Sequence, residues 1–327
     1  TLDMRQAEGQ SILRELVTNA DFLLENFRPG TLEKWGCGYE ELAKVNPRLI
    51  MIRVSGFGQT GPYAKQAGFG AIGEAMGGLR YVCGDPSTPP SRMGISIGDS
   101  LAATFASVGA LSALHYREKT GRGQVVDSAI YESVLNMMES LVTEFDKTGY
   151  IRERTGAILP NVAPSNIYPA RDGQLVLIAA NQDTVFGRLA EAMGQPGLAQ
   201  DPKYATHSAR GVHQAELDEL IGRWTASLTR DEVLAAMEKS GVPAGLIYRA
   251  PEMLEDPHFK ARQAIVKTQH PDFGELRMQN VAPKLSETPG GVRAPAPAMG
   301  QHNEEVYLGL LGMTRERFDS LAARKVI

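Results

Sequence analysis

Cysteine is nearly absent. Cys37 and Cys83 are the only two in 327 residues, and they form no CxxC pair. That excludes a zinc ribbon and a disulfide scaffold, and it fits a reducing, cytoplasmic setting. Histidine is sparse: His115, His207, His213, His258, His270 and His302 are scattered without HxxxH or HExxH spacing, so no metal site is expected. Positive charge is not in excess, since 34 Lys and Arg against 38 Asp and Glu leave a net charge of −4. Such a chain lacks the field that collects phosphate backbones, and nucleic acid is not an expected partner. Long apolar runs are missing too. The most apolar stretch, 101–114, is interrupted by Thr104, Ser107 and Ser112 and is shorter than the ~20 residues a bilayer needs. It reads as a buried core helix, and no membrane is expected as a partner. Apolar residues at 43% and charged residues at 22% rule out a disordered chain.

What is present is an alternation of helix and strand patterns. Thr1, Leu2, Asp3 and Met4 read as the end of a strand with a helix over 8–16 behind it, so the chain is expected to open partway through a fold. An apolar run over 20–25 stops at the turn residues Asn26, Phe27, Arg28, Pro29 and Gly30. A short helix over 39–45 leads to a strand over 48–55, ended by Gly56, Phe57 and Gly58. A long helix over 99–116, a strand over 124–129 and a second long helix over 131–147 follow. This order predicts an α/β fold with mostly parallel strands and crossover helices. Ligands in such sheets sit beyond the carboxyl ends of the strands, which directs attention to the segments after Glu25 and Ser55.

Residues 1–155 are expected to form a large domain and 156–173 a linker. A smaller α+β domain is expected over 174–269. It has strands over 174–180 and 242–248, and helices over 184–193, 214–226, 230–239 and 250–265. Residues 270–327 then serve as a linker and a return to the large domain, closing with a helix over 308–323. Asp231 stands two residues after Thr229 in an expected first helical turn, where an acid is favoured.

Three places carry potential chemistry. Gly98 and Asp99 stand before the apolar helix. As an N-cap, Asp99 accepts hydrogen bonds from free N–H groups. The same placement stabilises an ionised carboxylate that can act as a covalent nucleophile. The loop Gly56-Phe57-Gly58-Gln59-Thr60-Gly61-Pro62 has three glycines that permit close backbone approach or a mobile flap. It is not GxGxxG and no Walker lysine follows, so by itself it reads as a connecting loop. Around Asn26, Arg28 and Lys34 are suited to phosphates and Phe27 to stacking on a purine, although a turn with solvated cations is the commoner arrangement.

The segments Asp21-Phe22-Leu23-Leu24-Glu25-Asn26-Phe27-Arg28-Pro29-Gly30 and Asn46-Pro47-Arg48-Leu49-Ile50 resemble family III CoA-transferases, the CaiB/BaiF group that includes formyl-CoA transferase. So, in order, do Ser55-Gly56-Phe57-Gly58-Gln59-Thr60-Gly61-Pro62-Tyr63, Gly98-Asp99, Arg117-Glu118-Lys119-Thr120-Gly121-Arg122-Gly123-Gln124 and the closing Ala322-Ala323-Arg324-Lys325-Val326-Ile327. Each motif is modest, but the ordered set is specific and covers essentially the whole chain. The resemblance implies a Rossmann-like, CoA-binding large domain, a smaller domain and an interlocked homodimer. It implies Asp99 as nucleophile. CoA contacts are implied at Leu2 to Arg5, at Asn26, Phe27, Arg28 and Lys34, and along Gln66, Ala67, Gly68 and Phe69. Coenzyme A is then a substrate thioester, with no tightly bound cofactor, and a small carboxylic acid is the second substrate. Family members carry a further strand–helix region before the position of Thr1, so an N-terminal part of the fold is expected to be lacking. Formyl-CoA transferases have an acid where this chain has Gly70, so an oxalate/formate specificity is not supported.

The implied reaction moves CoA from an acyl-CoA to an acid through an acyl-aspartyl anhydride and an aspartyl-CoA thioester. The start of the helix after Asp99 and the loop with Gly56, Gly58 and Gly61 are candidate N–H donors to the oxyanions. An acyl-CoA racemase of the same fold is one alternative; its proton-transferring His falls at Phe69, which cannot move a proton. A non-catalytic acyl-CoA-binding protein is another. Asn161, Asn166 and Tyr168 are secondary candidates for facing the acyl group.

Overall fold

β-Branched and long aliphatic residues between turn signals form the first sheet, in a computed structural model that describes residues 1–327. Strands β1 (Phe22–Glu25), β2 (Ile50–Ser55) and β3 (Val125–Ala129) pair in parallel, in the order β1-β2-β3. The register sets Glu25 beside Arg53 and Ser55 beside Ala129. Parallel neighbours need crossovers. Helices Thr31–Lys34 and Tyr39–Val45 lie between β1 and β2, and helix Ile97–Thr120 lies between β2 and β3. Val17, Leu32, Cys37, Leu42, Leu49 and Met51 form one buried cluster, and Ala102, Ile130, Val134 and Met138 another. Gly123 is required at the last crossing, because a Cβ there would lie 1.9 Å from the Leu49 carbonyl oxygen. Residues Thr1–Arg154 and Ala296–Ile327 make up this first unit.

The termini meet within it. The Asp3 N–H donates to the Val326 carbonyl at 2.7 Å, and Ile12 packs with Tyr307, Phe318, Leu321 and Val326. Thr1 to Met4 form no strand, contrary to the pattern. The helix expected over 308–323 is two pieces, a π-helical turn Glu305–Leu310 and helix Arg315–Ala323. Gly312 at φ 64° turns the chain between them, and the Thr314 side chain caps the second piece.

Two further helices depart from expectation. Helix Ile97–Thr120 starts two residues early, so Ser96 is the N-cap position and Asp99 lies inside the first turn. It is not the buried core helix that its composition suggested. It runs 24 residues, long and apolar enough to cross a membrane, and only 22% of its apolar window is buried in this chain. Periodicity cannot say what covers an apolar face, only that one exists. The helix expected over 131–147 is divided into Ile130–Leu135 and Leu141–Thr148. The Asn136 side chain donates to the Glu132 carbonyl, and Glu139 takes φ 53°, which ends the helical path.

The second unit is Thr155–Pro295. Strands β4 (Ser165–Pro169), β5 (Leu175–Ala179) and β6 (Ala244–Leu246) form an antiparallel sheet in the order β4-β5-β6, and β7 (Ile265–His270) and β8 (Gly274–Gln279) form a hairpin. Ile178, Phe186, Leu189, Leu217, Ile221 and Met237 centre its core. The linker read over 156–173 contains β4; prolines suggested a loop, but an edge strand tolerates them. The helix read over 250–265 breaks at Asp256 and Pro257, where Asp256 caps a new short helix. The hairpin keeps 270–295 with this unit, so the return to the first unit begins at Ala296 rather than 270.

Candidate active site

Two strand ends, one helix start and one connecting segment meet around Asp99. A cavity of 730 Å³ opens at the carboxyl ends of β1 and β2, lined there by Glu25, Asn26, Ser55 and Gly56. Gly68, Phe69 and Gly70 line a second wall, and Asp99 and Arg92 complete the polar lining. The Asp99 carboxylate lies directly over Gly70. A Cβ on Gly70 would stand 2.6 Å from Oδ2 and 2.7 Å from Oδ1. Gly98 is hemmed in likewise, with the Gly70 carbonyl and the Ile130 side chain each 3.1 Å from where its Cβ would be. Beneath them Glu74 is buried, with one oxygen 3.2 Å from Arg80 and the other without a partner.

The cavity therefore gathers Asn26, Gly56, Gly68, Phe69 and Asp99 from positions far apart in sequence. Phe69 is 77% exposed and precedes helix Gly70–Met76. Gln66 and Ala67 are exposed on the same segment outside the cavity lining. Phe27 is exposed and stands edge-on to Trp35 at 5.4 Å, while its N–H donates to Glu25 at 2.7 Å. Arg28 and Lys34 are exposed, with no ion pair in this chain. Leu2 and Arg5 lie apart from the cavity. Leu2 packs on the terminal cluster, and Arg5 pairs with Asp3 at 2.8 Å. Asn166 and Tyr168 do not present free polar groups, since both side chains donate to Asp218.

The glycine loop is braced rather than free. The Gly58 N–H donates to the Ser55 hydroxyl at 3.0 Å, and the Gln59 N–H to the Asp127 carboxylate at 2.8 Å. Burial pushes the Asp127 carboxyl above the ordinary range despite that hydrogen bond. Gly58 and Gly61 take φ 85° and 87°, which side chains rarely adopt, and a Cβ on Gly56 would stand 2.9 Å from the Gly68 Cα. Gly61 lines a neighbouring cavity of 400 Å³ with Gly30, Glu33, Arg53, Thr60 and Lys65. Arg53, buried at the end of β2, bonds Glu25 at 2.6 Å and Glu33 at 2.7 Å. This clamp and Arg92 escaped the sequence reading. Parallel register alone pairs Glu25 with Arg53, and Arg92 sits in a Pro/Ser-rich loop with no motif to mark it.

A carboxylate facing a cleft at the carboxyl ends of parallel strands defines an α/β enzyme acting on a bound small molecule. The model of CoA-transferase family III matches residues 1–303. Over 327 residues the chain is 62% identical to the succinyl-CoA–D-citramalate CoA-transferase of Chloroflexus aurantiacus, covering all of this chain and 81% of that protein. It is 33% identical to the succinate–glutarate CoA-transferase of Agrobacterium fabrum, covering 94% of this chain and 77% of that one. A CaiB/BaiF family protein from Brucella suis has a solved structure that superposes with a TM-score of 0.80 at 33% identity, covering 94% of this chain and 79% of that one. The chain belongs to CoA-transferase family III. It is a CoA-transferase, moving CoA between an acyl-CoA and a carboxylic acid.

Proposed function

We propose that Asp99 performs this transfer as a covalent nucleophile. One carboxylate oxygen attacks the thioester carbonyl, and the C–S bond breaks to give an acyl-aspartyl anhydride and CoA thiolate. The thiolate then attacks the aspartyl carbonyl, which releases the donor acid and leaves an aspartyl-CoA thioester. The acceptor carboxylate repeats both steps in reverse. One thioester is exchanged for another, and the covalent route divides a hard displacement into easier ones. The observation that carries this reading is the Asp99 carboxylate in the 730 Å³ cavity, laid over the open face of Gly70.

The first unit is the CoA-binding one on this reading. Asn26, Phe27, Arg28 and Lys34 hold the nucleotide end as exposed groups around one strand end. Gln66, Ala67, Gly68 and Phe69 guide the pantetheine arm toward Asp99, and Leu2 and Arg5 add an outer contact. Backbone N–H groups at the start of helix Ile97–Thr120 and at Gly56, which lines the cavity, serve the charge that develops on oxygen, whereas the Gly58 N–H is committed to Ser55 and Gly61 lines the neighbouring cavity. Relatives named for succinyl-CoA and for other diacids make dicarboxylates the favoured substrates. A second copy of the chain covers the apolar face of helix Ile97–Thr120, in line with the interlocked homodimer of the family.

The test is direct. Incubation with succinyl-CoA is expected to add a CoA-sized mass to the Asp99 peptide, and hydroxylamine to inactivate the enzyme only while it is so loaded. Asp99→Ala and Asp99→Asn are expected to lose at least ~10⁴-fold in kcat, as removal of a covalent nucleophile does. An unmodified Asp99 peptide in an enzyme that turns over would sink the mechanism.

A further inference from the structure

We propose that Arg92 holds the free carboxylate of a dicarboxylic acyl group while its other end reacts at Asp99. The inference deepens the reading above and rests on it.

Of the side chains lining the cavity of Asp99, Arg92 alone is cationic. Four other arginines of this unit are committed: Arg53 to Glu25 and Glu33, Arg117 to Asp21, Arg80 to Glu74 and Arg152 to Glu139. Arg92 forms no ion pair and no side-chain hydrogen bond in this chain, so its guanidinium is free to take a ligand. The two acids of the lining do not compete equally for it. Glu25 already accepts from Arg53 at 2.6 Å, and Asp99 lies over Gly70.

The segment that carries Arg92 is held on the neighbouring residue. The Ser91 N–H donates to the Cys83 carbonyl at 2.8 Å, and the Ser91 side chain fills the space that a Cβ on Gly84 would occupy. Arg154 braces the same loop through the carbonyls of Tyr81 and Asp85. The cavity that Arg92 and Asp99 share is lined in part by the small residues Gly68, Gly70, Ala71 and Ala103, and at 730 Å³ it has room for a short acyl chain.

A guanidinium fork matches a carboxylate in a bidentate, charge-assisted pair. A diacyl thioester satisfies Arg92 at one end and presents its carbonyl to Asp99 at the other. A monoacyl thioester of equal length leaves the guanidinium without a partner as the site loses water, and that penalty discriminates against it.

The experiment compares succinyl-CoA and butyryl-CoA, each with its own acid as acceptor, in the full chain and in Arg92→Leu, Arg92→Gln and Arg92→Lys. Thermal melting checks that each variant is folded. The wild type is expected to favour succinyl-CoA. Arg92→Leu and Arg92→Gln are expected to lose ~10²-fold or more in kcat/KM for succinyl-CoA, with butyryl-CoA held within ~3-fold, and Arg92→Lys to fall between. Equal losses on both thioesters, or a retained preference in Arg92→Leu, overturn the assignment. So does a wild type with no preference for succinyl-CoA. In each of those cases an Asp99 adduct still stands by itself, whereas its absence strikes at the mechanism.

Discussion

Asp99 sits where an acid is favoured for two separate reasons, and the local packing distinguishes them. Inside the first turn of its helix it gains from the positive end of the helix, without serving as the cap that its position in the sequence suggested. Its carboxylate is placed by a missing methyl group. Gly70→Ala would bring a Cβ to 2.6 Å from Oδ2, and the side chain that must yield is the flexible end of Asp99. The expected result is a folded protein with little change in melting temperature and a loss of about 10²-fold in kcat, the cost of a misplaced reacting group. A mass adduct on Asp99 that forms at the wild-type rate in Gly70→Ala would refute this. At this scale Asp99 was legible as a candidate nucleophile only through the ordered motifs that surround it. Arg92 was not, because an arginine in a polar loop has no spacing to mark it. Its significance comes from chain folding that brings residue 92 to the same cavity as residues 25 and 99.

The element best placed to show how the sheet supports the site is the joined end of β1 and β2. Arg53 ties Glu25 on one strand to Glu33 on the following helix, beside both cavities. The Arg53 guanidinium holds the Glu33 carboxyl below its ordinary range. A depressed carboxyl adds stability that is present above the unfolded value, ~4.3, and is lost as pH falls through the lower folded value. Melting of Glu33→Gln against the wild type is therefore expected to show a deficit at pH 7 that closes as the pH is taken below ~4. A deficit that is constant with pH would assign it to packing instead. Strands of the parallel sheet and the helix Tyr39–Val45 were legible, since turn residues bound each apolar run. Long helices were overextended at Glu139, Asp256 and Gly312. There a positive φ or an X-Pro step ends the helix while the apolar spacing carries on.

For the whole molecule, each unit has a core of its own, and the composition shift near residue 174 pointed to the second one without locating β4. The same reading placed 101–114 inside the protein, yet Phe105, Val108 and Leu111 form an exposed stripe at helical spacing, with Leu111 66% exposed. On the homodimer reading this stripe meets a second copy. Sedimentation is expected to give twice the chain mass, and Leu111→Glu to shift the population toward single chains. A wild type that sediments as a single chain at micromolar concentration would remove the homodimer. The stripe's helix also carries hydroxyls at Ser100, Thr104, Ser107 and Ser112, each donating to the carbonyl four residues back. Those groups ask nothing of water, so the rod can be pressed against another greasy surface with no polar donor stranded. A solitary chain is then an adhesive object. Pairing and clumping compete for one band of side chains, and dilute enzyme should be lost to plastic and to micelles faster than concentrated enzyme.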